Sequence, residues 1–444
     1  MKKYVSSHNI EDKMRNNIWI LNHYASDMYY SKGERHYHIA KFLKQAGYNP
    51  TVFCCITKHG VAEKYFETKG LWEEKIEESS GVPYVFVQAR TYGNNGIKRV
   101  MNMVDFYHNV KRTARQYTRS HEMPDSIFAS SVHPLTLVAG IQLAKKYKTN
   151  CICEVRDLWP ETIVAYGIAS EKNIAVKLLY RLEKWIYTKA DAIVFTMEGG
   201  KDYIIEKGWD TGHGGPVDIN KVYYINNGVD LESFDFNKKN NIVHDSDLDD
   251  SSNFKIVYSG SIRKVNDIGI LLDVAQIIDE SGQKIKLLIY GDGDERAELE
   301  KEATERKLVS IKFKGAVKKH QVPYILSKAD ACLLHWKPTA ITRFGMSMNK
   351  TFEYLAAGRP IVSNSIAGYD LINRNEIGIA KNFINAKEYA DSIIDVATLT
   401  DTKHKKMCNR ARGLAKQYDF KYLTSKLIEI IEEKNSNQTT RRMD

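Results

Sequence analysis

Residues 344–361 read F-G-M-S-M-N-K-T-F-E-Y-L-A-A-G-R-P-I, a stretch that combines the start of a helix, a lysine, a carboxylate and a closing glycine. The first amides of a helix have no intrahelical acceptor and carry a partial positive charge, so the backbone of 347–350, with Ser347 and Asn349, is suited to an anion. Lys350 adds a full charge to that cradle. Glu353 follows one turn later, within reach of hydroxyls, and Gly358 ends the helix. A diphosphate with a ribose beside it satisfies both halves of this arrangement.

Working outward, the segments around this helix alternate between apolar runs of strand length and amphipathic runs of helix length, the pattern of a parallel sheet covered on both faces. Strands are expected at 255–258, 285–290, 309–313, 331–334 and 360–363 in the second half. In the first half they are expected at 18–21, 51–56, 85–87, 126–129, 151–155 and 192–195, with a long helix over 170–189. The fold class is therefore α/β with two doubly wound, Rossmann-like domains. The boundaries read as 1–232, an exposed polar junction loop at 233–253, and 254–412. Ligands of such sheets sit beyond the carboxyl ends of the strands, which directs attention to the turns there. After Tyr258, Gly260 allows close backbone approach, and Arg263 and Lys264 can neutralise a diphosphate. Gly291 and Gly293 follow Tyr290, and Gly315 and Val317 follow Phe313.

These residues resemble the family 4 glycosyltransferases of the GT-B fold, in which two Rossmann-like domains face a central cleft. The matching features are Glu353 followed by the A-A-G-R-P-I run at 356–361, and the F-G-M-S-M-N-K segment ahead of the helix, which is similar to the branch that builds bacterial surface polysaccharides and includes N-acetylfucosamine transferases. Where most of that family has another glutamate eight residues before Glu353, this chain has Gly345. The resemblance implies a UDP-sugar donor, an N-acetylated hexosamine or deoxyhexosamine as the transferred sugar, a lipid-linked glycan acceptor of capsule or O-antigen type, and retention of configuration. It implies no cofactor and no metal. It makes Gly260, Gly291, Gly293, Gly315, Val317, Ser347, Asn349 and Lys350 donor-binding, and His133, Arg263, Lys264 and Glu353 catalytic. It also suggests that a C-terminal helix, 413–436, crosses back onto the first domain.

In the first half, S-S-V-H-P at 130–134 follows an expected strand and places His133 at the cleft, although an isolated turn histidine is equally compatible with the bare residues. E-V-R-D-L-W-P-E at 154–161 offers Arg156 and Asp157 as acceptor-binding groups. Gly33, just ahead of the first helix, is a third, where a small residue admits an acceptor or phosphate. N-N-G-V-D at 226–230 reads as a positive-φ turn between domains. Asp292 and Asp294 form a D-x-D that reads as a turn former in preference to a metal ligand.

The chain has 444 residues and a net charge of +10, and the first 215 residues hold 30 Lys and Arg against 23 Asp and Glu. That excess favours an anionic membrane or a phosphorylated acceptor over nucleic acid, for which no recognition motif is visible. Helix 97–117 sets Val100, Met103, Val104, Tyr107 and Val110 beside Lys98, Arg99, Lys111, Arg112 and Arg115, which fits either an anionic lipid surface or packing on the sheet. The first residues lack a secretory apolar run, no stretch is long enough to span a bilayer, and the six cysteines show no CxxC spacing; a cytoplasmic, peripherally bound protein with reduced thiols is expected. A UDP-sugar 2-epimerase of the same fold and a non-catalytic GT-B scaffold remain as alternatives.

Overall fold

The apolar runs are buried on both faces, as parallel strands between helical layers require. The computed structural model describes residues 16–93, 96–131 and 133–443. Residues 1–15, most of the stretch read for a leader, and Val132 of the His133 turn lie outside the described residues. The first sheet contains β1 (Asn17–Leu21), β2 (Asn49–Cys55), β3 (Trp72–Ile76), β4 (Pro83–Val87), β5 (Ser126–Ser130), β6 (Asn150–Val155), β7 (Ala192–Phe195) and β8 (Val222–Tyr224), in the order β3-β4-β2-β1-β5-β6-β7-β8. Among the described residues only strand β3 runs antiparallel to its neighbour. The second sheet contains β9 (Phe254–Ser259), β10 (Ile285–Tyr290), β11 (Ile311–Gly315), β12 (Ala331–Leu334), β13 (Ile361–Ser363) and β14 (Gly378–Ala380), all parallel, in the order β11-β10-β9-β12-β13-β14. Strand order reverses between β1 and β5 in one sheet and between β9 and β12 in the other. These two switch points are where loops diverge and leave a crevice.

The helices that position the site are α1 (Arg35–Gln45), α2 (Ile97–Tyr117), α3 (Pro134–Tyr147), α4 (Ile174–Lys189), α5 (Gly200–Glu206), α6 (Leu231–Asn240), α7 (Asn349–Ala357) and α8 (Phe420–Met443). The expected helix over 170–189 begins later, because Asn173 caps α4 by accepting from the Ala175 amide. The junction at 233–253 is not an exposed loop. Asp230 caps α6, Asp245 caps a further turn at Ser246–Asp249, and Leu248 is fully buried. The acidic residues that made the segment read as solvated instead hold Lys314, which donates to Asp245 and Asp247 at 2.6 Å.

The crossing helix starts at Phe420, not 413, since Leu414 still belongs to the preceding helix, Asp401–Ala415. Leu423, Leu427, Ile430 and Ile431 of α8 join Ile18, Ile39 and Phe128 in one core of the first domain. Where the chain crosses back, Val229 bridges the 418–420 backbone: Val229 N donates to Tyr418 O at 2.9 Å and Phe420 N to Val229 O at 3.0 Å. Gly228 is required there by close approach, because a Cβ would overlap the Tyr418 carbonyl. It does not adopt the positive φ expected of the N-N-G-V-D turn.

The domains are also pinned on a second line. Phe344 from the loop ahead of α7 is buried in the first domain's core against the Tyr203 ring, and its carbonyl accepts from Gly199 N at 2.9 Å. Arg343 pairs with Glu206 at 2.6 Å and Arg374 with Glu198 at 2.9 Å.

Candidate functional site

Helix α7 starts without a side-chain cap, at Met348, so its first amides are left for another acceptor. Lys350 turns back from this end onto the β9 loop, with Nζ 3.2 Å from Tyr258 Oη and 4.4 Å from the centre of that ring. A Cβ on Gly260 would stand 2.8 Å from the same ammonium, so this glycine and the lysine lie in close contact. Burial pushes Lys350 down to about 8, opposed by the nearby Glu353 carboxylate. Burial also raises the Glu353 pKa, an effect reinforced by Glu34 and opposed by Lys319 and Lys350. Cation and carboxylate therefore share one helix face, three residues apart.

Across from α7, Gly33 and Glu34 precede α1, and a cleft of about 480 Å³ brings Gly33, Glu34, Lys319, Asn349 and Glu353 together. Lys319 spans it, 3.6 Å from the Glu34 carboxylate. The side chains of Ser347 and Asn349 are engaged elsewhere. Ser347 donates to Asn226 at 2.6 Å, and Asn227 donates to the Ser347 carbonyl at 3.0 Å and to Asn349 Oδ1 at 2.9 Å. The N-N-G turn thus holds the helix start in place, and what Ser347 and Asn349 can offer an anion is backbone.

Arg263 and Lys264 are exposed on the β9 loop, and their side chains form no hydrogen bond or ion pair among the described residues. Gly291 and Gly293 have a packing reason: Cβ atoms there would overlap the carbonyls of Gly260 and Ile262, so the β9 and β10 loops lie in contact. Gly315 sits beside the Arg296 guanidinium, and Val317 is half-buried on the second core. Asp292 accepts from the Gly293 amide at 2.9 Å and lies 3.8 Å from Arg296, closing its own turn. Gly345 has φ +101°, and a Cβ there would meet the Glu198 amide at 3.3 Å. A glutamate at this position would be strained in this backbone, so the departure from the resembling family has a local cause.

On the first domain, His133 does not project into open cleft as its place after β5 suggested. It occupies the position before α3 without a side-chain capping bond, is 1% exposed, and its Nε2 lies 2.7 Å from His23 Nδ1. These two residues follow β5 and β1, the strands that flank the switch point. Burial, helped by Arg99, lowers His133 to about 3, and burial with His133 lowers His23 well below the usual value, so both are neutral near pH 7. His133 Nδ1 has no partner among the described residues.

Arg156 is half-buried and Asp157 is exposed to water, though the protein around Asp157 raises its carboxyl against the pull of Arg156 and Arg99. Sequence reasoning missed the group between them and the N-N-G turn. Glu154, fully buried, accepts from Arg35 Nε at 2.6 Å, His36 Nε2 at 2.8 Å and Ser130 Oγ at 2.7 Å. Burial alone would raise its pKa; Arg35 and His36 outweigh that and hold it well below the carboxylate range. Arg35 continues to the carbonyls of Ile225 and Asn226, linking this cluster to the N-N-G turn.

The family described as Glycosyltransferase Family 4 matches residues 34–233, and that described as Glycosyl transferases group 1 matches residues 240–414. No curated protein matches the chain. Among solved structures, Anabaena Alr3699/HepE in complex with UDP is 15% identical at a TM-score of 0.61, over 94% of this chain and 100% of that one. A glycosyltransferase from Rickettsia africae is 15% identical at 0.60, over 95% and 98%. WaaG, a glycosyltransferase involved in lipopolysaccharide biosynthesis, is 13% identical at 0.59, over 93% and 99%. At these identities the likeness establishes a shared two-domain fold.

Proposed function

This chain is a family 4 glycosyltransferase of the GT-B fold, and from that premise we propose that it moves an N-acetylated hexosamine or deoxyhexosamine from a UDP-linked donor to a lipid-linked glycan precursor of a capsule or O-antigen polysaccharide. The observation that carries the donor half is the uncapped start of α7, with Asn349 and Glu353 opposite Gly33 across the cleft and Lys350 beside them, turned onto the β9 loop. The UDP complex of the HepE structure, which shares the fold, supports the same choice of nucleotide.

In this reading the α7 amides and Lys350 hold the diphosphate, and Glu353 accepts from ribose hydroxyls. As the glycosidic bond breaks, negative charge grows on the leaving phosphate, and Lys350 with Arg263 and Lys264 stabilises it where it develops. Three cations supply this neutralisation without a metal, so added chelator should leave turnover unchanged. The leaving phosphate receives the acceptor proton from the same face, which retains configuration. His133, neutral and held by His23, supports the sugar pocket from behind the cleft wall, while Arg156 and Asp157 meet the acceptor. The excess of cations in the first domain and the exposed residues of α2 suit a lipid-linked acceptor and a peripheral position on an anionic leaflet.

Incubation with a panel of UDP-sugars and a lipid-linked acceptor tests the reading. Free UDP and an extended glycan are expected. An isomerised UDP-sugar formed without acceptor would identify an epimerase instead, and no thermal stabilisation by any UDP-sugar would leave only a scaffold.

A further inference from the structure

Residues 32–34, at the lip of the cleft, hold a backbone that their side chains do not favour. Lys32 is left-handed at φ +50°, and Glu34 stands at φ +71° and ψ 175°, a region that glycine enters freely and a residue with a Cβ does not. Glu34 also occupies the position before α1, and its side chain makes no bond to the first amides of that helix. Its carboxylate is paired instead with Lys319 of the opposite domain, at 3.6 Å. A glutamate kept in a glycine conformation, and not used by its own helix, has its reason in the cleft.

Lys319 supplies that reason. It opens the short turn Lys319–Gln321 after β11, and its Nζ would lie 3.4 Å from a Cβ on Gly33, the residue read as an entry point for phosphate or acceptor. Burial raises the Glu353 pKa, with Lys319 opposing and Glu34 reinforcing the rise; burial lowers His38, and Lys319 adds to that fall. Lys319 and Glu34 therefore both lie within electrostatic reach of the carboxylate assigned to ribose. The ion pairs that pin the domains beside α5 are 2.6 and 2.9 Å long, whereas this one is too long for a hydrogen bond, and its side chains are 54 and 39% exposed. Such a pair is weak, so a stronger anion can take the cation from it.

We propose that Lys319 is a further donor-binding cation, and that in the empty enzyme Glu34 occupies it as an internal substitute for the donor's diphosphate. The cleft offers an ammonium across from the uncapped amides of α7, and the Glu34 carboxylate meets one half of that offer when no nucleotide is bound. A nucleoside diphosphate carries more charge than one carboxylate and reaches the α7 amides as well, so it displaces Glu34, and Lys319 joins the other cations of the second domain on the leaving group. Like-charge repulsion keeps Glu34 away once the diphosphate is seated, which ends the bridge between the domains at this lip. The inference rests on the donor reading for its ligand and adds one residue and one competitor to it.

Calorimetry of UDP and of uridine with the full chain tests it, in wild type, E34Q, K319M and the double variant E34Q/K319M. E34Q should bind UDP about twofold to fivefold more tightly, the strength of an exposed ion pair, and K319M about fivefold to tenfold more weakly. E34Q should bring no gain in the K319M background, and uridine, which lacks the phosphates, should bind every variant alike. E34G, which suits the backbone, is the control for folding: it should melt no lower than wild type and tighten UDP as E34Q does. The proposal is overturned by E34Q that binds UDP no more tightly than wild type, by K319M that binds it equally well, by a gain from E34Q that persists in K319M, or by a matching gain for uridine, which would mean only a wider cleft. K350M separates this from the donor reading. Weakened UDP binding in K350M with no effect of E34Q or K319M discards the competitor and keeps the α7 site, and the reverse pattern discards the α7 site.

Discussion

Replacing Lys350 with methionine separates what this side chain costs the empty protein from what it supplies to a bound anion. Its pKa is lowered from 10.5 to about 8, so burial disfavours the charged amine in the native state although it is still protonated at pH 7. A shift of that size corresponds to about 3 kcal/mol of destabilisation at most, and water in the open cleft screens this to about 1–2 kcal/mol. The sign follows from proton counting. Below pH 8 both native and unfolded chains are protonated and the whole cost is present; between 8 and 10.5 the unfolded chain holds the extra proton, so stability rises with pH; above 10.5 the cost is gone. K350M should therefore melt a few degrees above wild type at pH 7, with the difference closing toward pH 10.5.

UDP binding should move the other way. Loss of a charge-assisted contact worth about 1.5–3 kcal/mol weakens affinity tenfold to a hundredfold. Calorimetry of the wild type at pH 8 in buffers of different ionisation enthalpy should show proton uptake, because the diphosphate restores the charge. The reasoning fails if K350M is less stable than wild type at pH 7 and binds UDP equally well.

Glu353→Gln keeps the shape of the side chain but removes its charge, and should weaken UDP about tenfold through poorer bonds to the ribose hydroxyls; calorimetric parity with wild type would remove Glu353 from the site. His23→Phe deprives His133 of its partner at Nε2, and turnover should fall by up to about a hundredfold through misorientation, with UDP affinity unchanged and partial recovery in His23→Gln; unaltered turnover would show the pair to be structural. Phe344→Ala empties a buried site between the domains and should cost about 3–5 kcal/mol in denaturant unfolding, whereas Arg343→Ala, at the exposed pair beside it, should cost under about 1 kcal/mol. Equal effects of the two would mean that Phe344 does not plug the first core.

The second sheet and its site were readable because their signals are local: continuous apolar strands, glycines in the turns after β9 and β10, and a helix start with lysine and glutamate at fixed spacing. Strands β3, β8 and β14 escaped for equally local reasons. β3 is W-E-E-K-I, charged at its centre because it is an antiparallel edge with one face toward water, and β8 and β14 have three residues each. The remainder depends on contacts between distant parts of the chain. Asn227 meets Asn349, Arg35 meets Glu154 and His23 meets His133 across more than a hundred residues, and no window of sequence contains both partners. Nor could helical periodicity alone tell which face of α2 was covered, because apolar residues occur on both.

The return of α8 to the first domain bears on how the polypeptide is made. Leu423, Leu427, Ile430 and Ile431 complete a hydrophobic core whose other members lie almost entirely within the first 225 residues. A ribosome therefore releases the amino-terminal sheet with that core unfinished, and the missing wall emerges only after the whole nucleotide-binding half has been synthesised. Nascent chains halted before Phe420 should expose Ile18, Ile39 and Phe128 to chaperones, and stable closure of the first domain becomes a post-synthetic event.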